Sequence, residues 1–551
     1  MNVNKRIKEI TRFLFKGEKD IQDRINGYVE KKWFCPSTPI LHNSGTEHGL
    51  PISCFVNHVG DTMDNIQHAY NEAFSYARYG GGVGTYWGDV RHVGSLIRDK
   101  FKHSGVIPFM KIQDSMALAV NQSGIRNGST AVYLPVWHPE IEEFIDLRRV
   151  HGGDYNRRCL NLHHGVCIDD LFMECVEEGK PYFLRDKQRV EVKAINAREL
   201  WQKILITRIE TGEPFIVFLD NVNNNLPPIN ADYSGKVSTS NLCSEILQIT
   251  SPTMPAVCCL GSLNVAKYLE FETVIQQVCM DVLRFLDAIL KEFQDKVENK
   301  KDYENTLYAS LAYRNIGLGV MGFHDFLQQQ GLPFASVMSK VWNKRIFSII
   351  KEAVDIANFK LGQLYGFAPA TIKTDKPRRF TFTMAVAPTA TISQHMETSQ
   401  SIDPFISNVF MHKTEKGNVT IRNKNLDKLL HYKLDNDKKK VERAWENIQS
   451  NEGSVYDVAC LSEEEKAIYK TAFEIDQRWI VDLARARAKF IDQGQSVNLF
   501  FRSDVEKQYL LKVHMDAWRG GVKSLYYCRS TALKRAYVVG SESYQECLAC
   551  Q

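Results

Sequence analysis

The chain has 551 residues, of which 44% are hydrophobic and 24% charged, and its formal net charge is +4. A balance this close to neutral does not favour binding to nucleic acid or to a membrane surface. No apolar run approaches the roughly 20 residues that a membrane-spanning helix requires, and charges interrupt the N-terminal stretch where a signal peptide would be apolar. We therefore expect a cytoplasmic globular protein. Its thirteen cysteines indicate redox catalysis or metal binding rather than a disulfide scaffold.

Hydroxyl side chains flank turns near the start of the chain. Thr38 and Ser53 both lie beside such turns, where hydroxyls are natural partners for phosphate groups or helix ends. Residues 61–78 then have helical spacing, and Asp61 is the expected N-cap. The glycine run at 80–84 allows a close backbone approach, although such runs are also common in ordinary turns.

Loops and helices alternate through the rest of the chain. At 386–393 a strand ends in hydroxyl-bearing residues where a helix should begin, and amide N–H groups at a helix start bind anions. Residues 412–446 are dominated by Lys, Asn and Asp, which predicts a surface excursion rather than a binding patch. A loop rich in glycine, serine and asparagine is predicted at 121–129, and helices are predicted at 140–149, 169–178, 197–211 and 336–365.

The most informative stretch places a carboxamide, a thiol and a carboxylate at alternate positions, in Asn241, Cys243 and Glu245. In an extended segment alternate side chains point the same way, so these three are predicted to converge on one ligand, while Leu242 and Ser244 face away. A nearby carboxylate raises the pKa of a thiol, so the pattern suits one-electron sulfur chemistry better than a thiolate nucleophile. Taken alone, Cys243 is more often a small buried core residue.

In context, this stretch resembles the active-site finger loop of the class I ribonucleotide reductase large subunit. The resemblance covers nearly the whole chain from about Trp33, although residues 395–399 depart from the usual wording of the family. The segments that carry it are 240–246, 256–264 with Cys258 and Cys259, 314–322, 386–393, 491–498 and Leu525-Tyr526-Tyr527.

The resemblance implies an α/β fold, a ten-stranded barrel of two five-stranded parallel halves in antiparallel arrangement, with a central finger loop that carries the radical cysteine. The implied domains are a short helical stub at 1–30, a catalytic barrel with effector site and dimer helices at 31–527, and a flexible redox tail at 528–551. The stub leaves no room for the ATP-sensing cone domain of many relatives. A homodimer is expected.

The resemblance also implies a mechanism, the reduction of ribonucleoside diphosphates to deoxyribonucleotides. Cys243 would carry a thiyl radical that takes the 3′ hydrogen of ribose, Glu245 would accept the 3′-hydroxyl proton, and Asn241 would hold the sugar. Cys54 and Cys258 would then supply two electrons by forming a disulfide. The neighbouring Cys259 is expected to be structural.

Two further pairs complete the electron pathways that the resemblance implies. Tyr526 and Tyr527 would relay a radical, although adjacent tyrosines also suit an aromatic core strand. Cys547 and Cys550 on the tail would pass electrons from a thioredoxin or glutaredoxin. The alternative for the tail pair is half a zinc site, but no second Cys/His pair of suitable spacing lies nearby.

Binding roles follow from the same resemblance. The effector site would involve Asp61 and Arg91, and a specificity loop would involve Gln122 and Arg126. The substrate would contact Thr38, Ser53, Pro388, Thr389, Ala390, Thr391, Ile392 and Ser393.

No metal site is predicted in this chain, because it lacks the Glu-x-x-His motif of carboxylate-bridged metal centres. A metal-radical centre is therefore expected on a separate small subunit, and ATP or deoxynucleoside triphosphates with Mg²⁺ are expected as effectors. Two alternatives stay open. One is a class II enzyme, which uses adenosylcobalamin and needs neither a small subunit nor a tyrosine pair. The other is a non-catalytic relative that only binds nucleotides.

Overall fold

The structure is a computed structural model that describes residues 2–98, 100–120, 129–149, 154–414 and 417–531, without the side chains of 411–419. Its helices are α1 (Val3–Leu14), α2 (Lys19–Glu30), α3 (Thr38–Asn43), α4 (Met63–Arg78), α5 (Ile107–Ala119), α6 (Ile141–Ile145), α7 (Asp170–Glu178), α8 (Ala197–Thr211), α9 (Leu219–Asn223), α10 (Tyr268–Phe271), α11 (Ile275–Val297), α12 (Glu304–Tyr313), α13 (Phe323–Gln329), α14 (Val337–Tyr365), α15 (Ala390–Met396), α16 (Lys424–Lys433), α17 (Lys438–Ser450), α18 (Glu463–Ile468), α19 (Gln477–Ala488) and α20 (Lys507–Arg519).

Its strands are β1 (Phe34–Pro36), β2 (Cys54–His58), β3 (Gly82–Tyr86), β4 (Leu96–Ile97), β5 (Phe101–Lys102), β6 (Ser129–Pro135), β7 (His163–Ile168), β8 (Pro181–Arg185), β9 (Glu191–Asn196), β10 (Phe215–Phe218), β11 (Ala256–Asn264), β12 (Ile316–Met321), β13 (Val409–Thr414), β14 (Gly417–Arg422), β15 (Leu499–Phe501), β16 (Ser524–Leu525) and β17 (Cys528–Ser530).

One curled sheet organises these elements, in the order β1-β11-β2-β3-β6-β7-β10-β16, with β12 paired to β11. Strands β2, β3, β6, β7 and β10 are parallel, and they form a five-stranded half-barrel. At the edges of this half the direction reverses, because β11 is antiparallel to β2 and β16 is antiparallel to β10. The expected mixed α/β fold is therefore confirmed.

The two faces of the sheet are separated by strict alternation along each strand. In β10, Ile216 and Phe218 contribute to the large core under the helices, whereas Phe215 and Val217 belong to a second cluster on the enclosed face. All four residues are buried, as expected for parallel strands covered on both sides. The enclosed face surrounds the loop at 240–249, which the sheet therefore positions.

Several helices begin where the sequence predicts them, and two do not. The predicted helices at 169–178, 197–211 and 336–365 correspond to α7, α8 and α14. The predicted N-cap Asp61 is wrong, because the Thr62 side chain accepts the hydrogen bond from the Asn65 amide and α4 starts at Met63. The helix predicted at 140–149 shortens to α6, which ends before Asp146.

The segment rich in Lys, Asn and Asp is more ordered than its composition indicates. It contains the hairpin β13–β14 and the helices α16 and α17, which enclose an apolar cluster of their own. The cluster contains Leu426, Leu430, Val441 and Trp445, spaced four residues apart within each helix, so that each pair lies on one helix face. The segment therefore has an apolar core of its own, while its prediction as a surface excursion stays a prediction.

Candidate active site

The loop that carries Cys243 is held in the enclosed face from several sides. The Tyr133 hydroxyl on β6 donates to the Asn241 carbonyl at 2.6 Å. The Ser524 hydroxyl donates to the Ser244 carbonyl at 2.7 Å, and the Ser496 hydroxyl donates to the Cys243 carbonyl at 2.6 Å. These bonds satisfy buried backbone carbonyls that no strand pairing serves, so they fix the shape of the loop.

Two glycines allow this close packing. A Cβ atom at Gly84 on β3 would lie 1.9 Å from the Ser240 carbonyl oxygen. A Cβ atom at Gly494 would lie 2.9 Å from the Ser244 carbonyl oxygen, where no side chain fits. The Gly494 amide instead donates to the Glu245 carbonyl at 2.8 Å. Both backbones therefore approach the loop only because they carry no side chain.

The loop does not have the extended alternation that the sequence predicts. Ser244 has a φ of +66°, so the chain turns sharply between Cys243 and Glu245. Leu242 joins the same apolar cluster as Cys243 instead of facing away from it. The Asn241 Oδ1 atom accepts from the Glu245 and Ile246 amides, both at 3.1 Å, so this side chain caps the turn.

Glu245 is a fully buried carboxyl group with asymmetric surroundings. Its Oε2 atom lies 3.2 Å from the Ser496 hydroxyl, whereas its Oε1 atom has no hydrogen-bond partner. Burial raises the pKa of Glu245 to about 7, against the opposing effect of hydrogen bonds from its own amide, Asn241 and Ser496. A carboxyl group with this pKa can accept or release a proton near neutral pH.

Cys54 and Cys258 face each other directly across the antiparallel pair of β2 and β11. Opposed residues of such a pair have Cα atoms about 4.5–5.5 Å apart, which is within the range that a disulfide spans. Both belong to a small aliphatic cluster that also contains Ile246 of the loop. Burial raises the pKa of the Cys258 thiol well above its ordinary value, with further contributions from Cys54 and Glu245.

Cys259 points to the other face of β11. It joins the large core beneath the helices, and burial raises the pKa of its thiol well above the ordinary value. Successive residues of a strand alternate between faces, so Cys258 and Cys259 cannot both reach the enclosed face. This geometry supports Cys258 as the partner of Cys54.

Tyr526 and Tyr527 belong to a different buried cluster from the cysteine pair. The Tyr526 hydroxyl donates to the Cys243 Sγ atom at 3.5 Å. The rings of Tyr526 and Tyr527 have centroids 4.2 Å apart, and Phe215 packs against both of them. The phenol of Tyr526 thus connects the sulfur of Cys243 to the second tyrosine.

The predicted phosphate turn lies at the start of α15. Thr389 has a φ of +56° and its hydroxyl accepts from the Ser401 amide at 2.7 Å, so it closes the turn ahead of the helix. Thr38 is the first residue of α3, and its buried hydroxyl has no hydrogen-bond partner. Ser53 is buried immediately before β2. A cavity of about 630 Å³ is lined in part by Ser393 of α15, and neither Cys243 nor Cys258 lines it.

The residues predicted for effector binding form an ion pair. The Arg91 Nη2 atom lies 2.7 Å from the Asp61 Oδ2 atom, and Lys187 also contacts this carboxylate. These cations lower the pKa of Asp61 despite its partial burial, which alone would raise it. Gln122, Arg126, Cys547 and Cys550 lie outside the described residues.

Two features are absent from the described residues. Within 2–98, 100–120, 129–149, 154–414 and 417–531, no group of three His, Cys, Asp or Glu side chains is arranged to hold a metal ion. In the same ranges no helix combines the length and the apolar surface that crossing a membrane requires.

Sequence reasoning did not assign roles to Tyr133, Ser496 and Ser524. Each contributes one hydroxyl to the loop from a distant part of the chain, so spacing alone cannot reveal them. The available signal was the match of 491–498 to a known family segment, which contains Ser496.

Comparisons with known proteins agree with this geometry. The family model described as "Ribonucleotide reductase, barrel domain" matches residues 52–357 and 370–528. The chain belongs to the ribonucleotide reductase family. It is 38% identical over 543 residues to a protein described as a putative ribonucleoside-diphosphate reductase large subunit of Frog virus 3 (isolate Goorha), covering 97% of this chain and 93% of the relative.

Two further ribonucleotide reductase comparisons extend over the whole barrel. The large subunit of Invertebrate iridescent virus 3 is 34% identical, over 93% of this chain and 88% of the relative. The solved structure of the Actinobacillus ureae class Id ribonucleotide reductase alpha subunit superposes with a TM-score of 0.83 at 29% identity, over 100% of this chain and 94% of that one. The class I large subunit predicted from the sequence is therefore confirmed.

Proposed function

We propose that this chain reduces ribonucleoside diphosphates to 2′-deoxyribonucleoside diphosphates with a thiyl radical on Cys243. The observation that carries the proposal is the contact between the Tyr526 hydroxyl and the Cys243 Sγ atom at 3.5 Å, continued by the packed ring of Tyr527. A phenol that has lost an electron and its proton can take a hydrogen atom from Cys243 when this residue is in its thiol form.

The reaction divides between one-electron and two-electron sulfur chemistry. The Cys243 radical takes the 3′ hydrogen of the ribose, and Glu245 accepts the 3′-hydroxyl proton. The 2′-hydroxyl then leaves as water, and the thiols of Cys54 and Cys258 give two electrons and two protons as they become a disulfide. Cys243 finally returns a hydrogen atom to the 3′ carbon and becomes a radical again. In sum, one C–OH group and two thiols become one C–H group, water and a disulfide.

Substrate binding follows from groups around the loop. The bonds to Asn241 Oδ1 orient its NH₂ group, which we assign to the sugar. The amide N–H groups that open α15, within 388–393, suit the diphosphate. The unpartnered Thr38 hydroxyl and Ser53 complete the proposed contacts.

We propose that the curled sheet closes into the ten-stranded barrel. Parallel bridges join Leu318 to Met384 and Val386 to Gln495, and the Tyr526 amide donates to the Val497 carbonyl at 2.8 Å. These contacts continue the hydrogen bonding from β12 towards β16, which already pairs with β10. Such closure would place the loop inside the barrel.

Partners and regulation are part of the same proposal. The oxidising equivalent comes from a metal-radical centre on a separate small subunit. Cys547 and Cys550 exchange with the Cys54–Cys258 disulfide and are re-reduced by a thioredoxin or glutaredoxin. Effector nucleotides, with Mg²⁺, bind near Asp61 and Arg91 in a homodimer. Gln122 and Arg126 transmit the identity of the effector. A reducing compartment such as the cytoplasm suits this number of thiols.

The deciding experiment is an activity assay with the purified full-length chain, a ribonucleoside diphosphate and a dithiol reductant. Three arms contain the chain alone, the chain with adenosylcobalamin, and the chain with a metal-loaded small subunit. We expect deoxyribonucleotide only in the third arm. Product in the second arm would establish a class II enzyme instead. Product in no arm, with nucleotide binding intact, would indicate a regulatory relative.

A further inference from the structure

A chain of buried side-chain amides ends at the sulfur of Cys258. Asn315 Nδ2 donates to Gln248 Oε1 at 2.7 Å, and Gln248 Nε2 donates to Gln493 Oε1 at 2.9 Å. Gln493 Nε2 then lies 3.9 Å from the Cys258 Sγ atom. All three amides are at most 5% exposed. This network lies outside the groups that the proposed mechanism uses.

Backbone groups at both ends fix the direction of this chain. The Phe382 amide can only donate, and it donates to Asn315 Oδ1 at 3.3 Å. The Ile316 carbonyl can only accept, and it accepts from Gln493 Nε2 at 2.9 Å. Reversing any one amide would place two donors or two acceptors against each other at one or both of its contacts. Oxygen and nitrogen of each amide are therefore assigned by the network.

This polarity leaves one particular hydrogen at the sulfur. One N–H bond of Gln493 is taken by the Ile316 carbonyl. The second N–H bond of Gln493 points toward the Cys258 sulfur. This hydrogen bond lowers the pKa of the Cys258 thiol, whereas burial raises it by more. A Cβ atom at Gly317 would lie 3.0 Å from the same sulfur, so the sulfur is enclosed between β12, Gln493 and Cys54 across the strand pair.

We propose that Gln493 is a positioning residue for the Cys258 sulfur, and that its N–H group stabilises this sulfur in the reduced pair. The inference rests on the proposed redox role of Cys54 and Cys258. As that pair is oxidised, two S–H bonds break, one S–S bond forms, and two electrons and two protons pass to the substrate carbon and the leaving water. Thiol and thiolate sulfur accept hydrogen bonds better than a disulfide sulfur does, so the N–H group favours the reduced pair.

The test measures the Cys54–Cys258 thiol–disulfide equilibrium in dithiothreitol buffers. The full-length chain carries Cys547→Ser and Cys550→Ser, so that only the buried pair exchanges, and mass spectrometry of alkylated peptides reports its state. We expect Gln493→Met to shift the equilibrium about fivefold toward the disulfide, which corresponds to ~20 mV for two electrons. Gln493→Asn shortens the side chain by one methylene group and moves the amide away from the sulfur, so it should also shift the equilibrium toward the disulfide. This variant provides the test if Gln493→Met does not fold.

Gln495→Met is the matched control. Gln495 is also buried and lies two residues away, but it bonds to Arg487 and to the Ala484 carbonyl at 3.0 Å, away from the thiols. This variant should lower the thermal stability and leave the equilibrium unchanged. An unshifted equilibrium in both Gln493 variants would overturn the role of Gln493 alone. Failure of Cys54 and Cys258 to form any disulfide in the parent chain, with Gln493 intact, would overturn the proposed function with it.

Discussion

The enclosed face of the sheet provides two contrasting environments for sulfur. Cys243 lies in a cluster that contains five aromatic residues, among them Tyr133, Phe215 and Tyr526. Cys54 and Cys258 lie in a cluster of small aliphatic side chains and have no aromatic member in it. The two clusters meet at the loop, because Ile246 packs with the second and Leu242 with the first.

The contrast matches the two kinds of sulfur chemistry that we propose for this site. Aromatic rings in contact pass single electrons, and a phenol can exchange one hydrogen atom with the thiol it touches. Small side chains around an opposed pair of thiols allow the sulfur atoms to approach, as disulfide formation requires. We infer that the fold separates one-electron from two-electron sulfur chemistry by side-chain type, within a single face of one sheet.

The strongest test of this contrast is Cys243→Ser. A serine hydroxyl does not give up its hydrogen atom to a phenoxyl radical, so turnover should fall by at least about ten-thousandfold. Deoxyribonucleotide formation with the small subunit is the measurement, and equilibrium dialysis should show that the substrate still binds. Cys167→Ala alters another buried cysteine of the same aromatic cluster and should keep most of the activity. Measurable product from the Ser variant would refute the radical role.

Tyr526→Phe tests the aromatic side of the comparison. The ring packing survives, but the hydroxyl that contacts Cys243 is lost, so the rate should fall by about a thousandfold. The matched control is Tyr86→Phe, since Tyr86 belongs to the same cluster. Full activity of the Tyr526→Phe variant in the presence of adenosylcobalamin, without a small subunit, would place the chain in class II.

The variants Cys258→Ser and Cys259→Ser test the aliphatic cluster and the assignment of Cys258 within it. Because the two residues lie on opposite faces of β11, only the first should abolish multiple turnovers, with a rate about 300-fold lower in the presence of a dithiol. The second should reduce thermal stability but keep the rate near that of the parent. Equal losses in the two variants would contradict the assignment of Cys258 as the partner of Cys54.

Glu245→Gln tests the carboxyl group of the loop, which is adjacent in sequence to Ile246 of the aliphatic cluster and close to Cys243 of the aromatic-containing cluster. The base must be ionised to accept a proton, so the parent rate should rise with pH through the pKa of about 7. The Gln variant should be about a hundredfold slower at pH 8 and should lose this pH dependence. A pH profile of kcat for both proteins is the measurement, and a parent profile that falls between pH 6 and 8 would exclude Glu245 as the base.

The ionisation of Glu245 should also change the stability of the protein. As the pH rises, the rate should increase but the free energy of unfolding should decrease. Its pKa in the folded protein is raised from 4.5 to about 7, so its stabilising contribution is complete below the unfolded pKa and is lost as the pH rises through 7. The change in the free energy of unfolding caused by Glu245→Gln should therefore be more favourable at pH 8 than at pH 4.5, by roughly 3 kcal/mol. Urea unfolding at the two pH values measures this difference, and Glu474→Gln at the surface provides a control.

Part of the fold was readable in the sequence, because apolar residues at helical spacing predict helices. The helices at 197–211 and 336–365 followed from apolar periodicity. The apolar cluster within 412–446 was not predicted, because attention to the charged composition overlooked the four-residue spacing of Leu426 and Leu430. The alternation around Cys243 failed because Ser244 adopts a positive φ, and the tertiary bonds to the loop, not local propensity, impose that turn.

The sequence by itself determined the inventory: a thiol beside a carboxylate, two more thiols on a buried strand, and adjacent tyrosines near the end of the chain. The family resemblance implied Cys258 rather than Cys259 as the partner of Cys54, and only the tertiary structure gave the physical reason, which is that Cys258 lies opposite Cys54 across the strand pair. It also decided that Ser496 bonds to the loop and that Gln493 directs an N–H bond to Cys258. The physical reason is that these two contacts join residues 253 and 235 positions apart in the chain, so no local spacing could reveal them.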